Sequence, residues 1–295
     1  MKRATILLVF CAIFIQSNAQ FSPAEVANRA THTQIELDQA TVSVYYQFTQ
    51  QAMQGRTPVF LTDTTVLRIG RIYSVYYNRS SILRDSVFSA TTRYMTASGR
   101  VREVRVIGDA GELDEILRNM HSGIVNTQNE RRISTRFFKN RQTHTITSVD
   151  GSSEMFLVEE TIPPMEWEIF PDTMTVLNYL CFKATTTFRG RNYIAWFTMD
   201  IPINEGPWKI YGLPGLILRL EDEDGLFVHE AVGLVSHTER PITMSGNAYT
   251  RITNEQLQRW IENRTIVTNV VSNGVFYVGG SVRSTLTFHR REIGD

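Results

Sequence analysis

Two strand-like runs joined by Arg189, Gly190, Arg191 and Asn192 constrain this chain more than any other feature of its sequence. If Gly190 and Arg191 form a two-residue hairpin loop, where glycine relieves the positive-φ constraint, Phe188 faces Tyr193, Thr186 faces Ala195, Ala184 faces Phe197 and Phe182 faces Met199. One face is then apolar and must be buried. The other carries Cys181, Lys183, Thr185 and Thr187 against Asp200, Thr198, Trp196 and Ile194. A second hairpin follows, Leu216 to Glu221 and Leu226 to Val232, turning through Asp222, Glu223, Asp224 and Gly225. Consecutive hairpins with short turns predict an antiparallel sheet.

Further strands are predicted from Val42, Val44 and Tyr46, which alternate with polar neighbours, and over Val66 to Tyr77, Met155 to Glu159, Trp167 to Phe170 and Val275 to Phe288. The last contains Gly279 and Gly280, a bend or bulge signal. Helical spacing occurs at Leu113, Ile116 and Leu117 within Ala110 to Met120, and at Leu257, Trp260 and Ile261, where Thr253 or Asn254 can cap a helix over Gln256 to Ile266. The polar stretch Asn78 to Asp150 reads as an irregular insertion. The expected fold is mainly β (α+β): a single domain over residues 20–295, a curved antiparallel sheet or half-barrel with two or three helices around an apolar groove.

The N-terminus has the layout of a cleavable signal peptide over residues 1–19: Lys2 and Arg3, an apolar run from Ile6 to Ile15, then Ser17, Asn18 and Ala19. The run is shorter than the ~20 residues that span a bilayer, so no transmembrane segment is expected in the mature form. Removing Lys2 and Arg3 from a chain of 30 basic and 30 acidic residues leaves 28 against 30. That balance excludes a polyanion binder, and no nucleic-acid partner is expected. Only Cys181 of the two cysteines remains after cleavage, so stability must come from burial rather than an internal disulfide.

The stretch from Tyr179 to Gly225 holds Gly212, Leu213, Pro214, Gly215, Leu216 and Ile217 unbroken, preceded by Cys181, Lys183 and Ala184, by Ala195 and Trp196, and by Gly206, Pro207 and Trp208. In these residues the chain resembles the GLPGLI family of exported proteins found in Bacteroidetes. The resemblance implies export, with the periplasm as the expected compartment and the cell surface as the alternative, and it carries no agreed biochemical activity. It also implies that Asp63-Thr64-Thr65, Asp85-Ser86-Val87 and Asp172-Thr173-Met174 match a short O-glycosylation acceptor pattern. In physical terms the motif is a structural corner: Leu213 to Leu216 suits a type II turn, with Pro214 presetting φ, Gly215 supplying a positive φ and Gly212 permitting close approach.

No nucleophile elbow, HExxH pair, phosphate loop or CxxC motif is present, and no catalytic residue, cofactor or metal is assigned. Cys181 has no histidine near it in sequence and reads as a small buried apolar residue. His229 and His237, on one face of a straight strand, would lie about 26 Å apart at ~3.3 Å per residue, and are expected to face solvent. Glu221 to Asp224 reads as a charged hairpin tip rather than a calcium loop. The candidate ligand-binding residues are Trp196, Trp208, Lys183 and Asp200, Lys183 and Asp200 pairing across the hairpin. The expected function is a non-enzymatic binding or accessory protein of the envelope, with an apolar or lipid-like ligand or an outer-membrane protein partner. The alternatives are a secreted hydrolase and a structural partner protein.

Overall fold

The structure is a computed structural model that describes residues 34–80, 103–107, 135–150, 156–246, 249–263, 269–272, 275–279 and 286–288. The expected signal segment (residues 1–19), the expected helix Ala110 to Met120 and Asp85-Ser86-Val87 lie outside the described residues. The elements are β1 (Gln34–Gln54), β2 (Thr57–Gly70), β3 (Tyr73–Asn78), β4 (Glu103–Ile107), β5 (Thr135–Asn140), β6 (Thr145–Asp150), β7 (Phe156–Thr161), β8 (Glu168–Val176), β9 (Tyr179–Phe188), β10 (Arg191–Thr198), β11 (Leu216–Asp222), β12 (Phe227–Ser245), β13 (Thr250–Arg251), α1 (Asn254–Asn263), β14 (Asn269–Ser272), β15 (Val275–Gly279) and β16 (Leu286–Phe288). The protein is mainly β. One helix of regular length is described where two or three were expected; α1 answers to the predicted C-terminal one.

The chain forms two compact units, one of Met1–Thr31, Phe88–Arg131 and Thr265–Ser284, the other of His32–Val87, Arg132–Arg264 and Thr285–Asp295. In the first, β4, β15 and β14 make a three-stranded sheet in which β4 and β15 run parallel. The second holds one large open sheet in the order β13-β7-β6-β5-β3-β2-β1-β12-β11-β10-β9-β8, with β16 on the end of β1. Its pairings are antiparallel except that of β13 with β7. The stretch Asn78 to Asp150 is thus divided: β5 and β6 are integral to the large sheet, and β4 belongs to the small one.

The expected strand Val66 to Tyr77 is two strands folded back on each other about Arg71 and Ile72, pairing Leu67 with Tyr76. The cause lies far off in sequence. Asp38 Oδ2 accepts hydrogen bonds from the backbone N–H of Ile72 (2.6 Å) and Tyr73 (2.8 Å), and Gly70 packs so closely that an added Cβ would lie 2.5 Å from that oxygen.

The hairpin β9–β10 forms with its loop one residue earlier than the sequence suggests. Arg191 pairs with Phe188, Tyr193 with Thr186, Ala195 with Ala184 and Phe197 with Phe182, around Arg189 (φ 50°) and Gly190 (φ 75°). Two consecutive positive φ values mark a type I′ turn, which matches the strand twist. The shift in register is two residues, so the same side chains stay on the same face. Phe188, Tyr193, Ala195 and Phe197 are all buried.

The main core draws on β1, β2, β3, β6 and β8 to β12 and on the segment between β10 and β11, from Met199 to Gly215. That segment covers one face of the sheet: Trp208, Ile210 and Leu213 are each 3% exposed or less. A second cluster, including Ala40, Val66, Val75, Tyr77, Phe138 and Ile242, forms among β1, β2, β3, β5, β6, β7 and the far half of β12.

Candidate functional site

The inner segment, Met199 to Gly215, carries two buried charges, Glu205 and Lys209, and each meets its opposite. Glu205 forms an ion pair with Lys139 of β5; both side chains are 5% exposed or less. Lys209, fully buried, forms an ion pair with Glu160 of β7, which also takes Arg189 Nη2 at 2.8 Å. The polarity is reversed between the two pairs, acid on the segment in the first and base in the second. A segment docked backwards would set like charges together.

Further hydrogen bonds complete the seating. Lys139 Nζ donates to the carbonyls of Gly206 (2.9 Å) and Ile210 (3.4 Å), Ser74 Oγ donates to Glu205 Oε1 (3.1 Å), and Arg141 Nε lies 3.4 Å from the same oxygen. Tyr211 donates its hydroxyl to the carbonyl of Ile162 (2.8 Å), Trp167 Nε1 donates to the carbonyl of Tyr211 (3.0 Å) and Tyr46 donates to the carbonyl of Ile217 (2.7 Å). Burial pulls the Lys139 ammonium below its ordinary pKa, against the attraction of Glu205. Lys209 Nζ also lies 5.7 Å from the ring centre of Trp208 and 5.9 Å from that of Phe137. Beside this network a cleft of about 20 Å³, bordered by Arg141, His144, Asn204 and Tyr211, has room for a water molecule.

The glycines of the motif exchange the roles expected of them. Gly212 has the positive φ (100°) and stands clear of its neighbours, with the indole nitrogen of Trp167 at 3.5 Å from an added Cβ. Gly215 has no positive φ, and its added Cβ would lie 2.0 Å from the carbonyl oxygen of Thr198. The motif is therefore a corner, exposed at Gly212 and Pro214 and buried at Leu213 and from Gly215 on, whose first glycine serves conformation and whose second serves contact. Trp208 is itself held at φ 56°, an uncommon conformation for a large side chain.

The four candidate ligand-binding residues do not converge. Trp208 is buried and packs edge-on against Phe188 at 5.7 Å. Trp196 is half-buried, with Lys183 and Arg219 as its register partners. Lys183 does not pair with Asp200: its ammonium lies 5.6 Å from the Phe170 ring centre, and Asp200 sits in the turn after β10, its N–H directed to Thr198 Oγ1 at 3.3 Å.

His229 is buried, not solvent-facing, with Nε2 3.0 Å from the Tyr76 hydroxyl and its ring stacked on Phe48 at 4.5 Å. The side chain of His237 lies outside the described residues. Burial pushes the Cys181 thiol up to about 11, so at neutral pH it is neither a nucleophile nor a metal-ready thiolate. Among the described residues no group of three or more His, Cys, Asp or Glu is placed to hold a metal, and no helix is long and apolar enough to cross a membrane.

A sizeable open hollow, about 620 Å³, lies beside the start of β8, where Glu168 pairs with Thr185 of β9. It is bordered by Glu166, Trp167, Glu168, Lys183, three threonines at 185 to 187, Asn192, Tyr193, Ile194 and Glu223. A relay crosses its floor: Thr187 Oγ1 donates to Asn192 Oδ1 (2.8 Å), and Asn192 Nδ2 donates to Glu223 Oε2 (2.8 Å). Of the candidate residues only Lys183 borders it. The others were not singled out from the sequence because Thr185 and Thr187 read simply as the polar face of a hairpin, and Glu166 and Glu223 are brought to that face only by the β8–β9 and β10–β11 pairings.

A family model described as "Protein of unknown function (Porph_ging)" matches residues 188–219, the stretch that contains all of β10, the inner segment and the start of β11. No curated protein matches. Among solved structures the chain is similar to two described as "Structure of PNGF-II" in the P21 and C2 space groups, each 14% identical, with TM-scores of 0.46 and 0.44. Each match covers 79% of this chain and 35% of the other, so the chain spans about a third of the length of those structures.

Proposed function

We propose that this chain is exported and acts in the cell envelope as a non-enzymatic binding or accessory protein that takes a small polar ligand in the hollow beside β8, β9 and β10. The observation that carries this reading is the hollow itself. Its volume of about 620 Å³ falls within the ~300–1,000 Å³ of small-ligand sites, and its floor holds polar groups already fixed by hydrogen bonds to one another. Export rests on the layout of residues 1–19 and on the resemblance of the motif region.

The reading shifts the ligand from apolar to polar. The space in which an apolar molecule would sit against the core is filled by Trp208, Ile210 and Leu213, whereas the hollow presents carboxylates, hydroxyls and a carboxamide. An apolar ligand there would strand those groups without partners.

The test is native mass spectrometry of the mature protein purified from its own envelope, alongside a Thr185→Trp variant that fills the hollow. A polar molecule bound to the parent protein and missing from the variant is the expected result. An empty protein, or a ligand retained by the variant, overturns the assignment of the hollow.

A further inference from the structure

We infer that the ligand of this hollow is an oligosaccharide, an inference that rests on the binding reading above and narrows it to one chemical class. The bordering polar side chains are three carboxylates (Glu166, Glu168, Glu223), a carboxamide (Asn192), three threonine hydroxyls, the phenol of the buried Tyr193, the indole of Trp167 and one ammonium (Lys183). Acceptors therefore predominate, and a ligand that satisfies them must bring many donors. Sugar hydroxyls do so, each donating one hydrogen bond while still accepting from Lys183 or a threonine.

Other classes fit this set less well. An anionic ligand would meet three carboxylates against one ammonium, and that ammonium lies over the Phe170 ring. An apolar ligand would bury the carboxylates unpaired. A small metal cation would need converging ligands, and among the described residues no group of three or more His, Cys, Asp or Glu is placed to hold one; Glu223 is instead the end of an ordered relay from Thr187 through Asn192, and Thr186 Oγ1 is tied to the Glu166 carbonyl at 2.6 Å. Trp167 and Ile194, each half-buried, also border the hollow, and the C–H face of a sugar ring can lie against either one. Fixed polar groups together with such a side chain suit a ligand that is itself polar at its rim and apolar on its face.

The experiment is isothermal titration calorimetry on the full mature chain with a panel of neutral tetrasaccharides built from glucose, mannose, xylose or N-acetylglucosamine, with spermidine as the cationic probe and palmitate as the apolar one. Saturable binding of at least one tetrasaccharide is expected. It should be insensitive to added salt, weaken roughly tenfold in Asn192→Ala through loss of the carboxamide that orders Thr187 and Glu223, vanish in Thr185→Trp, and be unchanged in Glu255→Gln on α1. Asn192 is exposed, so its alanine variant keeps the test informative if the tryptophan variant does not fold. Binding of spermidine or palmitate, blocked by Thr185→Trp while no tetrasaccharide binds, would leave the hollow as the site and overturn the oligosaccharide. A tetrasaccharide that binds equally to both hollow variants would overturn the hollow. Silence from every probe overturns the inference.

Discussion

Lys139 and Glu205 form an ion pair between β5 and the inner segment, in a site where both side chains are 5% exposed or less. With its reversed counterpart, Lys209 and Glu160, the pair fixes the direction in which the segment lies across the sheet. Such pairs are weak as sources of stability, because desolvation cancels much of the attraction, but removing one partner leaves a buried charge alone. Glu205→Leu and Lys139→Met should therefore each cost about 3–5 kcal/mol, while the double variant that combines them should cost clearly less. Urea unfolding of both single variants and the double variant measures this; a double variant as unstable as the sum of the singles would refute the coupling.

These ion pairs also show why part of the molecule was hidden from a reading of the sequence. Period-two alternation marked β9 and β10, and because the register error was two residues the buried face was still identified correctly. The capped start of α1 was legible for the same reason: cap and helix are neighbours in sequence. Lys209, set between Trp208 and Ile210, was a signal in plain view, yet its partner Glu160 and the Lys139–Glu205 pair are joined only by the sheet. The turn at Arg71 and Ile72 likewise depends on Asp38, which no local pattern connects to it.

Asp38 gives a prediction with a pH dependence. Partial burial opposes its ionisation, but the backbone N–H groups of Tyr73, Ile72 and Gln39, with Arg71 nearby, outweigh that and hold its carboxyl below the ordinary value of 3.8. A carboxyl with a depressed folded-state pKa contributes stability that is present above its unfolded pKa and lost as pH falls through the folded one. Asp38→Asn should cost about 1.5–3 kcal/mol at pH 7, with the gap to the parent closing below about pH 4. Unfolding free energies measured across pH 2.5 to 7 decide it, and a gap independent of pH would contradict the assignment.

The two motif glycines should respond differently to alanine. Gly212→Ala meets no steric obstacle and bears only the backbone cost of its positive φ, about 1–2 kcal/mol. Gly215→Ala drives a methyl group into the Thr198 carbonyl, and its cost should reach or pass the ~3 kcal/mol upper end of ordinary overpacking. Thermal unfolding of the two variants checks the order, and an equal loss from both would be evidence against it.

Cys181 should be silent towards thiol reagents in the folded state. It is fully buried and its thiol is pushed up to about 11, so the thiolate is scarce at pH 8 and access is closed. Cys11 is the other cysteine of the sequence, so a protein expressed from Gln20 onward carries Cys181 alone and gives an unambiguous label count. Reaction with an aromatic disulfide reagent should be negligible in buffer and complete in concentrated guanidinium, and rapid labelling of the native protein would contradict the placement of Cys181 in the core.

The start of α1 supplies the last prediction. Thr253 Oγ1 accepts a hydrogen bond from the Gln256 N–H (3.2 Å), and Gln256 Oε1 accepts one from the Thr253 N–H (2.9 Å). This reciprocal capping box satisfies two donors that the first turn would otherwise leave unpaired. Leu257, at 3% exposure, anchors the helix by its apolar side, so the cap adds to packing rather than replacing it. Thr253→Ala should lower stability by about 1 kcal/mol, and Thr253→Ser by much less because the accepting oxygen is kept. If hydrogen exchange at the first-turn amides of α1 quickens in the alanine variant and not in the serine variant, the oxygen is responsible; an equal change in both would assign the effect to the lost methyl group instead.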